Sequence, residues 1–160
     1  NTILTNANVE GTKFGGCGEA FAKIEATCFQ GVVTGGLTGT HGRSFSFVHQ
    51  AGGPWTYKYR FINGYLIGVY VNLTGINLAG QDVSSIGASG TVATLPPVIA
   101  LANFTRANLR STIFGSLLNN NLQGADLTGA SFTGPTAGNI YSSETICPNG
   151  SKFQEGGNCP

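Results

Sequence analysis

Residues 102–134 read ANFTRANLRSTIFGSLLNNNLQGADLTGASFTG, and a large apolar side chain falls at every fifth place through most of it. Phe104, Leu109 and Phe114 make one run; after a slip of three, Leu117, Leu122, Leu127 and Phe132 make the next. Two places before each stands a small residue, Ala102, Ala107, Thr112, Gly115, Ala125 or Ala130, with Asn120 the exception. In a helix each repeat would rotate the apolar position by about 140°, so no face could form. In a flat strand an odd spacing sends alternate repeats to opposite faces. A chain that turns a corner every five residues and coils about its own axis fits the spacing, and this predicts a solenoid.

The same rule recurs twice. Leu4, Val9 and Phe14 are five apart, with Thr2, Ala7 and Thr12 two places earlier. Leu73, Leu78, Val83 and Ala88 continue it, preceded by Val71, Ile76, Gln81 and Ile86. The segments Ala7-Asn8-Val9, Ala102-Asn103-Phe104, Ala107-Asn108-Leu109 and Ala125-Asp126-Leu127 resemble the pentapeptide-repeat family, whose unit is Ala, Asp or Asn, Leu, then two polar residues. The resemblance covers about half the chain. It implies a right-handed, four-sided β-helix with one repeat per side, the Leu or Phe and the small residue inward and the other three outward. Some members of that family imitate DNA, which needs an acidic surface that the seven carboxylates here do not supply.

On this reading the 160 residues form one all-β domain. Residues 1–16, 71–90 and 99–134 are coils, 17–70 an inserted β-rich segment, and 135–160 a tail entered through Gly134-Pro135. Residues 91–98 interrupt the coils as a loop. Only 9% of residues are charged, and the eight basic ones are scattered, so a phosphate backbone would meet no basic field. No apolar run is long enough to span a membrane. The chain contains no Met, not even at position 1, which reads as a processed, secreted protein.

Four cysteines fall as two local pairs, Cys17 with Cys28 and Cys147 with Cys159. Three connectivities are possible and the grouping favours the local one. Free thiols or a four-Cys zinc site are the weaker readings, because no CxxC pair exists. The stretch from Cys147 to Cys159 is also similar to a Cys-bracketed tail that follows pentapeptide repeats in some secreted bacterial proteins, which implies that link in particular. Disulfides place the protein outside the cell or on its surface.

The clearest local element is a hairpin at 54–71, centred on Asn63-Gly64, since both turn positions require positive φ. The register pairs Ile62 with Tyr65, Phe61 with Leu66, Tyr59 with Gly68 and Tyr57 with Tyr70, and puts Trp55, Tyr57, Tyr59, Phe61, Leu66 and Tyr70 on one face. Lys58 and Arg60 share the other with Ile67 and Val69. Phe45 to His49 alternates and suggests a third strand. These aromatics do not match the inward repeat positions, so the segment is expected to pack outside the coils as a second small core. Part of its surface, Trp55, Tyr57, Tyr59, Phe61 and Tyr70, is the expected interface to another subunit, a glycan or a cell-surface protein.

Catalytic chemistry is not visible. His41 and His49 have no Cys or carboxylate nearby to complete a metal set, and Gly87-Ala-Ser89-Gly90 reads as a repeat corner, not a nucleophile elbow. No phosphate loop occurs, and neither cofactor nor metal is expected. Three sequons, at Asn72, Asn103 and Asn149, are candidate glycosylation sites, although Asn-Leu/Phe-Thr arises from the repeat itself. Because the first residue is nearly in repeat register, no cap is expected before it, and coils of successive subunits could stack head to tail. The expected function is therefore an extracellular structural protein that self-associates into a filament or surface layer, a homo-oligomer and not an enzyme. The alternative is a monomeric secreted binding module using the aromatic face.

Overall fold

A computed structural model describes residues 6, 44–49, 55–89, 97–155, 157 and 159, with the backbone alone for 44–49 and 55–57. The fold is mostly β, without a helix among the described residues. Nine strands are present among them: β1 (Ser44–His49), β2 (Trp55–Ile62), β3 (Tyr65–Ile67), β4 (Gly87–Ser89), β5 (Val98–Ala100), β6 (Ile113–Phe114), β7 (Ser116–Leu118), β8 (Ser131–Phe132) and β9 (Thr136–Ala137). One sheet runs β1-β2-β4-β5-β7-β9 with β3 beside β2, and a second holds β6 and β8.

Beyond the strands, single parallel bridges join successive turns of chain. Asn72 pairs with Asn103, Asn103 with Asn121, and Asn121 with Ile140; Asn77, Asn108, Asp126 and Ile146 make a second column. From Asn103 to Asn121 one turn takes eighteen residues, three fives and the slip of three. The slip sits at Gly115 because a Cβ there would collide with the Pro97 carbonyl and crowd that of Ser84. The chain shortens one side where two backbones come close.

Side-chain burial follows the five-residue rule. Ala102, Phe104, Ala107, Leu109, Thr112, Phe114, Leu117, Leu122, Ala125 and Leu127 are at most 2% exposed, and Arg106, Arg110 and Ser111 face solvent. Phe114 stacks on Phe132 of the next turn with centroids 5.6 Å apart. Corners fall two places after most of the large apolar residues, Val83, Phe114 and Phe132 excepted. There the backbone takes positive φ, at Gly75, Gly80, Arg106, Ser111, Asn119, Gly124 and Gly129. Before most corners an Asx turn closes the loop: Thr105 N–H and Oγ1 donate to Asn103 Oδ1 at 3.0 and 2.6 Å, and Thr128 does the same to Asp126 at 2.9 and 2.6 Å.

The hairpin has the expected register beside the turn, Arg60↔Ile67, Phe61↔Leu66 and Ile62↔Tyr65, with φ of 50° at Asn63 and 76° at Gly64. The ladder ends at Ile67, however, and does not contain the expected pairs Tyr59 with Gly68 and Tyr57 with Tyr70. β1 adds the third strand, antiparallel to β2. Three further expectations need correction. The hairpin is no separate core: Tyr59, Phe61, Leu66 and Ile67 belong to one cluster with Leu73, Phe104 and Leu109. It joins the turns because β2, past the end of β3, pairs Tyr57 with Ala88 of β4, which passes the sheet on to β5. Ile67 pairs with Arg60 and so shares its face as expected, yet both Ile67 and Val69 are buried, because pairing stops at Ile67 and the chain continues into the first turn. Second, residues 87–89 are a strand and no corner, so the ladder ends at Val83–Ile86 and Ala88 is no rung. Third, the stack does not stop at Gly134-Pro135. Parallel pairing continues through Thr136, Ile140 and Ile146, because backbone pairing outlasts the side-chain pattern.

Of the two expected disulfides, the one between Cys147 and Cys159 is present. The other, between Cys17 and Cys28, falls on residues outside the described ones: neither Cys17 nor Cys28 is among them. The same holds for the coil expected at 1–16, of which Asn6 alone is described.

Candidate functional site

The two ends of the stack differ. At the hairpin end the inward residues Leu73, Ile76, Leu78 and Val83 are at most 1% exposed, and Asn63 Nδ2 donates to the Asn77 carbonyl at 3.4 Å. At the other end the last turn places Phe132, Thr136, Tyr141 and Cys147 above Phe114, Leu117, Leu122 and Leu127. Thr136 stands opposite Leu117 where the ladder would carry another large apolar group, and Tyr141 is displaced toward Phe153, its ring stacked at 4.9 Å. A cavity of about 330 Å³ remains, floored by Leu117, Leu122 and Leu127 and walled by Phe132, Tyr141 and Cys159. That volume is at the low end of small-ligand sites.

A tail closes part of this end. The Cys147–Cys159 disulfide anchors it, and Ile146 pairs antiparallel with Lys152. Cys147 N–H donates to the Ser151 carbonyl at 2.7 Å and Phe153 N–H to the Thr145 carbonyl at 2.9 Å, so the outward backbone groups of that side are satisfied. The β8 and β9 sides differ. Thr133 N–H bonds back to Phe114, and the Ala137 carbonyl accepts from Asn119, which turns the N–H and C=O of Phe132 and Thr136 away from the stack. Among the described residues nothing pairs with that edge, and Thr136 and Ala137 are exposed.

The chemistry available is apolar contact and backbone pairing. Burial raises the Tyr141 hydroxyl above its ordinary pKa, against a smaller opposing effect of its hydrogen bond with Asn139, so it is a neutral donor at pH 7. Among the described residues no group of three His, Cys, Asp or Glu could hold a metal, and no helix is long and apolar enough to cross a membrane.

Of the expected interface, Tyr59 and Phe61 are 1% and 3% exposed and lie in the core, so they offer no area to a partner. Tyr59 donates its hydroxyl to the Val69 carbonyl at 3.3 Å. Tyr70 is half-buried; the side chains of Trp55 and Tyr57 lie outside the described residues, as does His41. Each sequon Asn is tied to its own Thr or Ser: Asn72 Oδ1 accepts from Thr74 Oγ1 at 2.7 Å, Asn103 Oδ1 from Thr105 as above, and Asn149 Oδ1 from Ser151 Oγ at 2.7 Å. Asp82 and Asp126 make the same bond with a carboxylate. Corner geometry therefore accounts for the sequon spelling without a glycan. The open end with its cavity has one signal in the sequence, Pro135-Thr136 replacing a repeat, and that signal does not single it out. The chain matches no protein-family model, no curated protein and no solved structure.

Proposed function

We propose that this chain is a pentapeptide-type β-solenoid, extracellular and structural, that self-associates through the end of its stack. The five-residue inward ladder, the positive-φ corners after Leu73, Leu78, Phe104, Leu109, Leu117, Leu122 and Leu127 and the parallel columns of bridges support the solenoid. The disulfide is compatible with an extracellular site. The observation that carries the self-association is the β8–β9 edge over an apolar cavity, uncapped among the described residues, because an open edge of this kind is a template for another chain. A low charge density, 9% of residues, leaves little repulsion between copies. The aromatic binding module is the weaker reading, since two of its five residues are interior. Sedimentation and negative-stain microscopy of the full chain over a concentration series test the proposal. Concentration-dependent oligomers or filaments support it; a monomer throughout the series defeats it.

A further inference from the structure

We infer that the occupant of the open end is the repeat block at residues 2–14 of a second copy, which adds parallel to β8 and β9 and places one of its large apolar side chains in the cavity. This rests on the self-association just proposed and names the segment that performs it.

Four observations converge. Among the described residues the edge offers two uncapped sides in sequence, at Phe132 and Thr136, and the tail satisfies the Cys147 side with the Ser151 carbonyl and the Thr145 carbonyl with Phe153. An incoming segment must therefore provide two adjacent repeats, with the chain running in the direction of the stack. The cavity then asks for one large apolar group above Leu117, where Thr136 leaves the ladder unfilled.

Residues 2–14 carry the matching pattern: Leu4, Val9 and Phe14 five apart, each with Thr2, Ala7 or Thr12 two places before. Asn6, two places after Leu4, holds φ at 57°, the corner value found at Arg106 (56°) and Ser111 (52°) two places after Phe104 and Leu109. The backbone at that point already has the bend that carries a chain from one side of a turn to the next. Backbone pairing would give affinity, and the apolar side chain in the cavity would give register. The block carries Glu10 and Lys13, one charge of each sign, so no net repulsion opposes its approach.

The test adds a fluorescent synthetic peptide of residues 1–16 to the full chain. Saturable binding that dissolves the oligomers is expected. Thr136→Arg, at an exposed site, and Phe132→Asp should each weaken peptide binding about tenfold or more, with an unchanged β-type circular dichroism spectrum for Thr136→Arg. Separate Asp substitutions at Leu4, Val9 and Phe14 should each be read by sedimentation, and loss of assembly at one or two of them identifies the seated repeats. Oligomers that persist with excess peptide and with all three substitutions overturn this inference and leave the self-association standing. Monomers at every concentration overturn both. Uptake of an anilinonaphthalene dye that the peptide does not displace would make the cavity a small-molecule pocket, and would also overturn it.

Discussion

Asn120 and Asn139, one turn apart, form a two-step ladder of amides inside the stack. Asn139 Oδ1 accepts both the Asn120 backbone N–H at 2.9 Å and Asn120 Nδ2 at 3.2 Å, and Asn139 Nδ2 donates to the Leu117 carbonyl at 2.9 Å. Asn120 repeats the arrangement one turn back, accepting from Ala102 N–H at 3.0 Å and donating to the Ile99 carbonyl at 3.0 Å. Asn120 is fully buried, and it occupies the position where other repeats have a small residue. The slip of three shortens this side of the turn, and the amides pair backbone groups that the shortened corner leaves over. Asn120→Ala should therefore lower the unfolding free energy by about 3 kcal/mol, since an acceptor and a donor lose their partners in the interior. Urea unfolding checks it, and a cost below about 1 kcal/mol would show that water replaces the amide.

Residues with positive φ and a side chain mark places where the sequence departs from the best corner. Leu101 has φ of 55° and is 51% exposed, so its side chain gains little from packing and strains the backbone. Leu101→Gly and Ser111→Gly should each stabilise the fold by about 1 kcal/mol. The comparison is Gly80→Ala, where a Cβ meets nothing within 4 Å but φ is +72°; it should cost a similar amount from the backbone alone. Melting temperatures moving in the opposite directions would refute the corner account.

Close approach gives a larger effect. Gly68 lies under the Tyr59 ring, where a Cβ would overlap ring carbons, and Gly115 lies against the Pro97 carbonyl. The ring can shift; the backbone cannot. Gly115→Ala should cost about 3 kcal/mol or more, the larger of the two losses. Beside it, the Ser116 hydroxyl is buried and has no hydrogen-bond partner. Ser116→Ala should be neutral to stabilising by about 1 kcal/mol.

The burial of Phe104, Leu109, Phe114, Leu117, Leu122 and Leu127 was legible because apolar side chains recur there at a fixed spacing. The Asn63-Gly64 turn was legible because two consecutive positive φ values demand those residue types. The Cys147–Cys159 closure followed from proximity in sequence; the same reasoning paired Cys17 with Cys28, which lie outside the described residues. What the sequence hid depends on neighbours distant along the chain. Nothing local to Tyr57 says that it pairs with Ala88 and so merges hairpin and turns into one sheet. Nothing local to Thr136 says that its side chain falls opposite Leu117, which creates the cavity. Asn120 looked like a defect in the repeat because its partners, Ile99, Ala102 and Asn139, are all a turn away.

Acid should act on the stack through its Asx corners. Partial burial alone would raise Asp126, but the Thr128 hydroxyl and N–H, and then Arg110 at 3.0 Å, outweigh it and hold the carboxyl below its ordinary value of 3.8. Asp82 is lowered chiefly by the Ser84 hydroxyl and N–H. A carboxyl with a depressed folded pKa contributes stability that is present above the unfolded value and is lost as pH falls through the folded one. Stability should thus be flat above about pH 5 and decline below about pH 4, with Asp126 accounting for about 0.5 kcal/mol after screening. Asp126→Asn keeps the Oδ1 acceptor for Thr128, so its unfolding curve should lose this part of the decline while the Asx turn survives. An unchanged acid limb would remove Asp126 from the account.

The tail should come loose without the turns coming apart. Cys147 and Cys159 are 12 residues apart, and a closed loop of that size contributes about 3 kcal/mol by restricting the unfolded chain. Without the bond, Ser151 and Phe153 are held by the Cys147 N–H to Ser151 and Phe153 N–H to Thr145 bonds and by the stacking of Phe153 on Tyr141. The turns beneath keep their own bonds, Leu109 N–H to Asp126 and Leu122 N–H to Ile140 among them. Cys147→Ser with Cys159→Ser, or reduction of the native bond, should therefore speed hydrogen exchange at the amides of Cys147 and Phe153 selectively and leave Leu109 and Leu122 slow. The freed tail would also uncover the Cys147 N–H and the Thr145 C=O, which lengthens the open edge from two sides to three. Peptide 1–16 should then bind more tightly, because a third repeat can pair. Uniform loss of protection across all four amides would show that the disulfide holds the whole stack, and the separation of tail from turns would be wrong.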